Sequence, residues 1–221
     1  MNKTYLYIIL VVLMALALYI ILGDALRGIL PKTAKNPYAY DLKEVRKVDP
    51  ELIKYRETSR LALSQSNPVR ITYLAGRLII GYSNLIQVID TSGVEISQRT
   101  IDGPLTCLAV DSTGVIYAGC KDHIVRIADE ISVWSIPDTG SYFTSIAAID
   151  DMVFVADAGK TAVHRYSTSG DHLLTFTGKN KDADQPGFVV PSPYFDLAFD
   201  PENELWVANT GVQSLQNFTT D

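Results

Sequence analysis

The residue types able to carry chemistry are few and far apart: three histidines, two cysteines and a scatter of aspartates. His123, His164 and His172 do not stand at the i, i+2 or i, i+4 spacing with which one strand or helix presents two imidazoles to a metal, and no HExxH or CxxC run occurs. His164 lies in a strand-like run beside Arg165 and His172 adjoins a turn, which suits structural or solvated roles. Cys107 and Cys120 flank one hairpin, where they form either two small buried thiols or a disulfide in an oxidising compartment. No Gly-x-Ser-x-Gly elbow, phosphate loop or ordered Ser, His, Asp set is present, so no residue takes a catalytic role and no cofactor is implied. Asp182 and Asp184 read as a solvated loop, with a cation site as the alternative. The remaining candidates for ligand binding are Asp157 and Asn209, which recur at one position of an internal repeat.

That repeat is the element that must position them. Beyond Val69 the chain becomes a series of short apolar runs separated by turn residues, a strand signature. Four runs, starting at Arg77, Val115, Met152 and Leu205, lie over one another so that Tyr82, Cys120, Asp157 and Asn209 coincide, 38, 37 and 52 residues apart. Each unit reads as inner strand, tight turn, second strand, loop, third strand, turn and outer strand. In the second unit these are residues 105–110, the turn 111–114, then 115–119, 123–128 and 131–134. Asp111-Ser112-Thr113-Gly114 and Ser167-Thr168-Ser169-Gly170 supply the polar and glycine positions that reversing strands need. Such a unit cannot bury both faces alone, so it must stack on its neighbours, which predicts an all-β fold of the β-propeller type. Facing Val110 to Val115 in that hairpin places Cys107 opposite Ala118. Trp206 reads as a core position of the last unit.

An insert lengthens the last spacing, and its residues carry a family resemblance. Pro186-Gly187-Phe188, a proline at 191 or 193, Phe195-Asp196-Leu197-Ala198-Phe199-Asp200 and Glu204-Leu205-Trp206-Val207-Ala208-Asn209-Thr210-Gly211 resemble the linker and core of NHL repeats. Val155-Ala156-Asp157-Ala158-Gly159, with Val163-His164-Arg165-Tyr166 and Ser169-Gly170, looks like the same motif. The first two units lack its aspartate and glycine, so the likeness over residues 71–221 is carried by the last two. NHL-like chains form six-bladed propellers of four-stranded blades. Residues 71–221 supply three blades and three strands of a fourth, so a closed ring calls for further blades from downstream sequence or from another chain. In NHL-like blades, residues placed like Asp157 and Asn209 more often hold a turn than a ligand. The repeat, an N-terminal anchor and the lack of a catalytic constellation point to a binding or assembly module for a protein or small ligand. Related six-bladed propellers also include hydrolases and lyases with a metal on the axis, built from one residue per blade, which linear spacing does not reveal.

The rest of the chain reads as an anchor and a stalk. Residues 5–22 hold eighteen amino acids with no charge, glycine or proline. As a helix they span about 27 Å, close to the hydrocarbon thickness of a bilayer. Tyr5, Tyr7 and Tyr19 suit membrane interfaces. An uncleaved single-pass anchor within residues 1–30 is the reading adopted, against a cleaved signal or a core helix. The usual arrangement of such an anchor leaves the folded part extracytoplasmic. Residues 31–70 follow as a stalk, in which Asp49-Pro50-Glu51 signals a helix start and predicts a short helix over 50–63. Lys plus Arg total 19 against 25 Asp plus Glu, a net charge of −6. Residues 71–221 alone carry eight basic and nineteen acidic side chains, net −11. A surface of that sign repels phosphate backbones, which excludes nucleic acid as a partner and favours a protein partner beside the membrane.

Overall fold

Short apolar runs punctuated by aspartate-bearing turns fold here into four antiparallel sheets, each built from strands consecutive in sequence. The first holds β1 (Arg70–Leu74), β2 (Arg77–Gly81), β3 (Leu85–Asp90) and β4 (Glu95–Thr100). The second holds β5 (Leu105–Val110), β6 (Ile116–Cys120), β7 (His123–Ile127) and β8 (Ile131–Ser135). The third holds β9 (Phe143–Ile149), β10 (Met152–Asp157), β11 (Ala162–Ser167) and β12 (His172–Phe176). A two-residue ladder of β13 (Lys179–Asn180) and β14 (Gln185–Pro186) occupies the insert. The fourth sheet has β15 (Asp196–Phe199), β16 (Leu205–Asn209) and β17 (Ser214–Phe218). The first strand of each sheet packs beside the first strand of the next, β1 on β5, β5 on β9 and β9 on β15, the arrangement of propeller blades around an axis. The computed structural model describes residues 3–29, 50–52, 54–135, 139–180, 185–191 and 194–220, so Asp182, Asp184 and Pro193 lie outside the described residues.

Side-chain alternation along the strands builds the core between blades. On β6, Ile116, Ala118 and Cys120 meet Ile79, Ile86 and Val88 of the first blade. Tyr117 points the other way, into a cluster with Phe143, Val153 and Val155 of the third. Phe154, Ala156 and Val163 of the third blade meet Leu197, Leu205 and Val207 of the fourth. A strand apolar on both faces therefore marks a blade with a neighbour on each side. The same period of two corrects the reading of Trp206. Leu205 and Val207 are 1% and 0% exposed, whereas Trp206, between them, is 36% exposed on the face turned away from the third blade. Its indole N–H donates to Asp200 Oδ2 at 2.7 Å.

Three of the hairpin turns follow one recipe. Asp111 Oδ1 accepts the amides of Thr113 (2.9 Å) and Val115 (3.0 Å). Asp90 does the same for Ser92 and Val94, and Asp200 for Glu202 and Glu204. Gly114 closes its turn at φ 95°, a conformation that costs glycine nothing. Because Asp111 captures Val115 within the turn, Val110 pairs with Ile116 rather than Val115. That one-residue shift sets Cys107 against Gly119 instead of Ala118, and a bulge at Thr106 beyond it brings Leu105 to face Cys120. The two cysteines face opposite sides of their sheet, Cys120 toward the first blade and Cys107 toward the third, and both are free buried thiols.

The N-terminal unit contains α1 (Lys3–Ile29). Its apolar residues from Tyr5 to Leu22 are exposed on every side, so no protein surface in this unit buries them. By length and composition the helix can cross a membrane, and an N-terminal signal sequence has the same properties. The stalk departs from expectation. A single 3₁₀ turn, Pro50–Leu52, forms where a helix to residue 63 was expected, and residues 54–63 have no regular structure. A short helix is marginal in water unless an apolar face is buried. Here Leu52 and Tyr55 are exposed. Farther along, Leu61 and Leu63 instead help line an apolar groove over β1 and β2.

Candidate functional site

Asp157 and Asn209 occupy the position expected of them, at the C-terminal end of the second strand of their blades, together with Cys120 in the second blade and Tyr82 just past β2. All four are buried; Asp157, Asn209 and Cys120 each contact a loop, and Tyr82 bonds the neighbouring strand β3. Asp157 Oδ1 accepts the amides of Tyr142 (2.9 Å), just before β9, and Lys160 (3.1 Å). Its Oδ2 lies 3.3 Å from His164 Nε2. Burial alone would raise this carboxyl; the His164 bond and the Tyr142 amide outweigh it and hold it below the usual carboxylate range. Asn209 Oδ1 accepts the amide of Val189 at 2.9 Å, and its Nδ2 donates to Gly187 O at 3.0 Å and Gln216 Oε1 at 3.2 Å. Cys120 Sγ lies 3.4 Å from Asp102 O, and Tyr82 bonds Gln87 at 3.1 Å. These polar groups are spent inside the fold, so the side chains shape the end of the propeller and leave little for a ligand.

The histidines serve the same end. His123 spans Asp122 Oδ1 and Asp102 O, each at 3.0 Å. His164 Nδ1 and His172 Nε2 both reach Thr175 Oγ1 at 2.8 Å, extending the chain from Asp157 across the third blade. Among the described residues, no group of three or more His, Cys, Asp or Glu side chains stands close enough to hold a metal ion.

One strand inward, at the register positions facing the residue before each of these latches, stands a second set: Arg70 against Gly81, Cys107 against Gly119, Ser145 against Ala156 and Asp196 against Ala208. The small partners allow the inner row to close. A Cβ on Gly119 would lie 2.2 Å from Cys107 Sγ, and one on Gly81 would lie 2.2 Å from Leu105 Cδ2. The four inner positions line a cavity of about 500 Å³ beside the axis, walled also by Leu108, Ile146 and the exposed ring of Tyr194. Thr144 Oγ1 donates to Phe195 O at 2.6 Å. Ser145 Oγ donates to Asp196 Oδ1 and accepts the amide of Leu197 at 3.1 Å. Burial pushes the Cys107 thiol up to about 12, despite the Thr106 hydroxyl and the charge of Arg70, so it stays protonated near neutral pH. Opposite charges, committed hydroxyls and a protonated thiol can bind and orient a guest. They do not assemble a nucleophile with its base.

Reading the repeat from its second strands brought out the latches and passed over this inner row. The signal was nonetheless present, since each first strand carries polar or small residues within its first three positions: Arg70 in the first, Thr106-Cys107 in the second, Thr144-Ser145 in the third and Asp196 in the fourth.

No family model matches the sequence, and no curated protein does. Solved β-propellers match the fold. A virginiamycin B lyase from Staphylococcus aureus superposes with a TM-score of 0.54 at 18% identity, over 71% of this chain and 57% of the lyase. A streptogramin B lyase gives 0.58 at 18%, over 72% and 54%. The β-propeller domain of Cps50 (Swd1) from Myceliophteria thermophila gives 0.53 at 13%, over 70% and 54%. The chain thus spans a little over half the length of these lyases, and the likeness establishes a β-propeller fold.

Proposed function

We propose that this chain is a membrane-anchored, NHL-like propeller. Its strand domain lies in an extracytoplasmic space and acts as a binding or assembly module, receiving a small ligand or the end of a protein partner in the axial cavity. The observation that carries the reading is the inner row itself. Four blades place a guanidinium, a thiol, a hydroxyl and a carboxylate at equivalent positions around one cavity. That is a concave lining in which a few convergent polar groups stand among apolar side chains, as in ligand sites. The uniformly exposed apolar helix supports the anchor, and the acidic balance of residues 71–221 supports partners other than nucleic acid.

Two measurements test it. Deleting residues 1–30 moves the protein from the membrane to the soluble fraction, and retention on membranes would remove the anchor. A library of small charged fragments, screened by thermal shift against the full chain in detergent, returns binders. Their stabilisation disappears in Tyr194→Ala and Arg70→Ala and persists in Arg99→Ala, a site on the fourth strand of the first blade outside the cavity. An absence of binders, or binders indifferent to the axial variants, overturns the site.

A further inference from the structure

Arg70 and Asp196 line the same cavity without pairing. Among the described residues neither takes part in an ion pair. The side-chain bond of Arg70 runs from Nη1 to the neighbouring carbonyl of Val69 at 3.0 Å. Asp196 uses Oδ1 for the Ser145 hydroxyl and for its neighbour's amide, Leu197 N, at 3.0 Å, which leaves Oδ2 uncommitted. The two charges sit on the first strands of the first and fourth blades, with β5 and β9 between them in the row. Opposite charges held apart in one cavity present a dipolar socket.

We infer that the axial cavity selects a small zwitterion of the amino-acid type, its carboxylate on Arg70 and its ammonium on Asp196. This rests on the binding role proposed above and names the class of guest. The planar guanidinium fork matches a carboxylate in a way that a point charge does not. A free carboxylate oxygen already fixed by its neighbours matches an ammonium. Net charge argues the same way. Residues 71–221 carry −11, so their field opposes the approach of an anion that Arg70 alone would attract, whereas a zwitterion brings no net charge against that field. A net cation would be drawn to the acidic surface at large and would meet the guanidinium at the site. Between the charges, Leu108, Ile146 and Tyr194 offer an apolar and aromatic wall to the guest's side chain. A volume of about 500 Å³ holds a single amino acid with room to spare and admits a short peptide whose two termini are free.

The test is isothermal titration of the full chain in detergent with the free amino acids and a set of Xaa-Leu dipeptides. The best binder is then compared with its N-acetyl derivative, which lacks the ammonium, and its amide, which lacks the carboxylate. Each capped form binds at least about tenfold more weakly, the loss that follows from removing one charge-assisted hydrogen bond. Arg70→Gln abolishes the preference over the amide and Asp196→Asn the preference over the N-acetyl form, while Arg70→Lys keeps part of it. The comparison of capped ligands needs no variant, so it stands even if a substitution disturbs folding. Equal binding of free and capped forms overturns the zwitterion. So does a result in which no free amino acid or dipeptide binds while charged fragments still bind at Tyr194, and in both cases the cavity survives as a binding site. If the fragments also fail to bind, the underlying site falls with it.

Discussion

Replacing Phe143 with alanine lowers the stability of the strand domain by about 3–5 kcal/mol, the range for truncating a buried phenylalanine. Phe143 opens β9 and is 0% exposed. It lies in the cluster that joins the second blade, through Cys107, Tyr117 and Ile124, to the third, through Val153 and Val155. Its ring also stands edge-on to the His164 imidazole, with centroids 6.3 Å apart. Removing it opens a void at the seam between two blades, where neither can collapse without breaking its own strand pairing. Trp206→Ala is the informative contrast. Although tryptophan is larger, Trp206 is more than a third exposed and packs away from the third blade, so its loss costs under about 2 kcal/mol. Urea denaturation of both variants measures the difference. Equal losses, or a greater loss at Trp206, would contradict the blade packing described.

Replacing Asp157 with alanine costs about 3 kcal/mol near neutral pH, because it removes a buried acceptor shared by the Tyr142 and Lys160 amides and His164 Nε2. The penalty depends on pH with a definite sign. The carboxyl titrates below its ordinary value in the folded protein, so its contribution is fully present above the unfolded value of about 3.9. It is lost as pH falls through the lower folded value. Wild type and Asp157→Ala therefore differ most at about pH 7 and less at about pH 3, below the unfolded value, where the unfolded carboxyl has begun to take up its proton. Denaturation of the two proteins at both pH values checks this, and a gap that stays constant would sink the assignment. Asp157→Asn retains the acceptor for the Tyr142 amide and recovers part of the loss at neutral pH.

How much of this was legible in the sequence divides along the range of the interactions involved. The blades were readable because alternation, aspartate turns and glycine punctuation are local, and Tyr82, Cys120, Asp157 and Asn209 do mark equivalent strand ends. Register was less so. One side-chain bond from Asp111 to the Val115 amide shifts a hairpin by a residue, and no propensity encodes that choice. Trp206 was misplaced because an apolar run does not say which of its members face a neighbour. The helix expected over 50–63 had a sound start signal but nothing to bury against. The inner row eluded the sequence for a different reason. Arg70 and Asp196 lie 126 residues apart and meet only because three blade seams accumulate around a common axis.

The latches at the strand ends have a consequence for how such a chain can grow. Asp157 fastens Tyr142, and Asn209 fastens Val189, so in each case the latch and the loop it holds belong to the same repeat. The seam to the preceding blade combines the apolar clusters with backbone bonds, as where Phe143 N donates to Lys121 O and Leu105 N to Ser83 O. Backbone bonds make no demand on side-chain identity. A copied gene segment spanning one repeat would therefore deliver a blade already carrying its own fastening, able to dock on a preceding blade whose apolar face fits its own. Afterwards each latch is free to drift among carboxylate, amide and thiol so long as its own loop stays held.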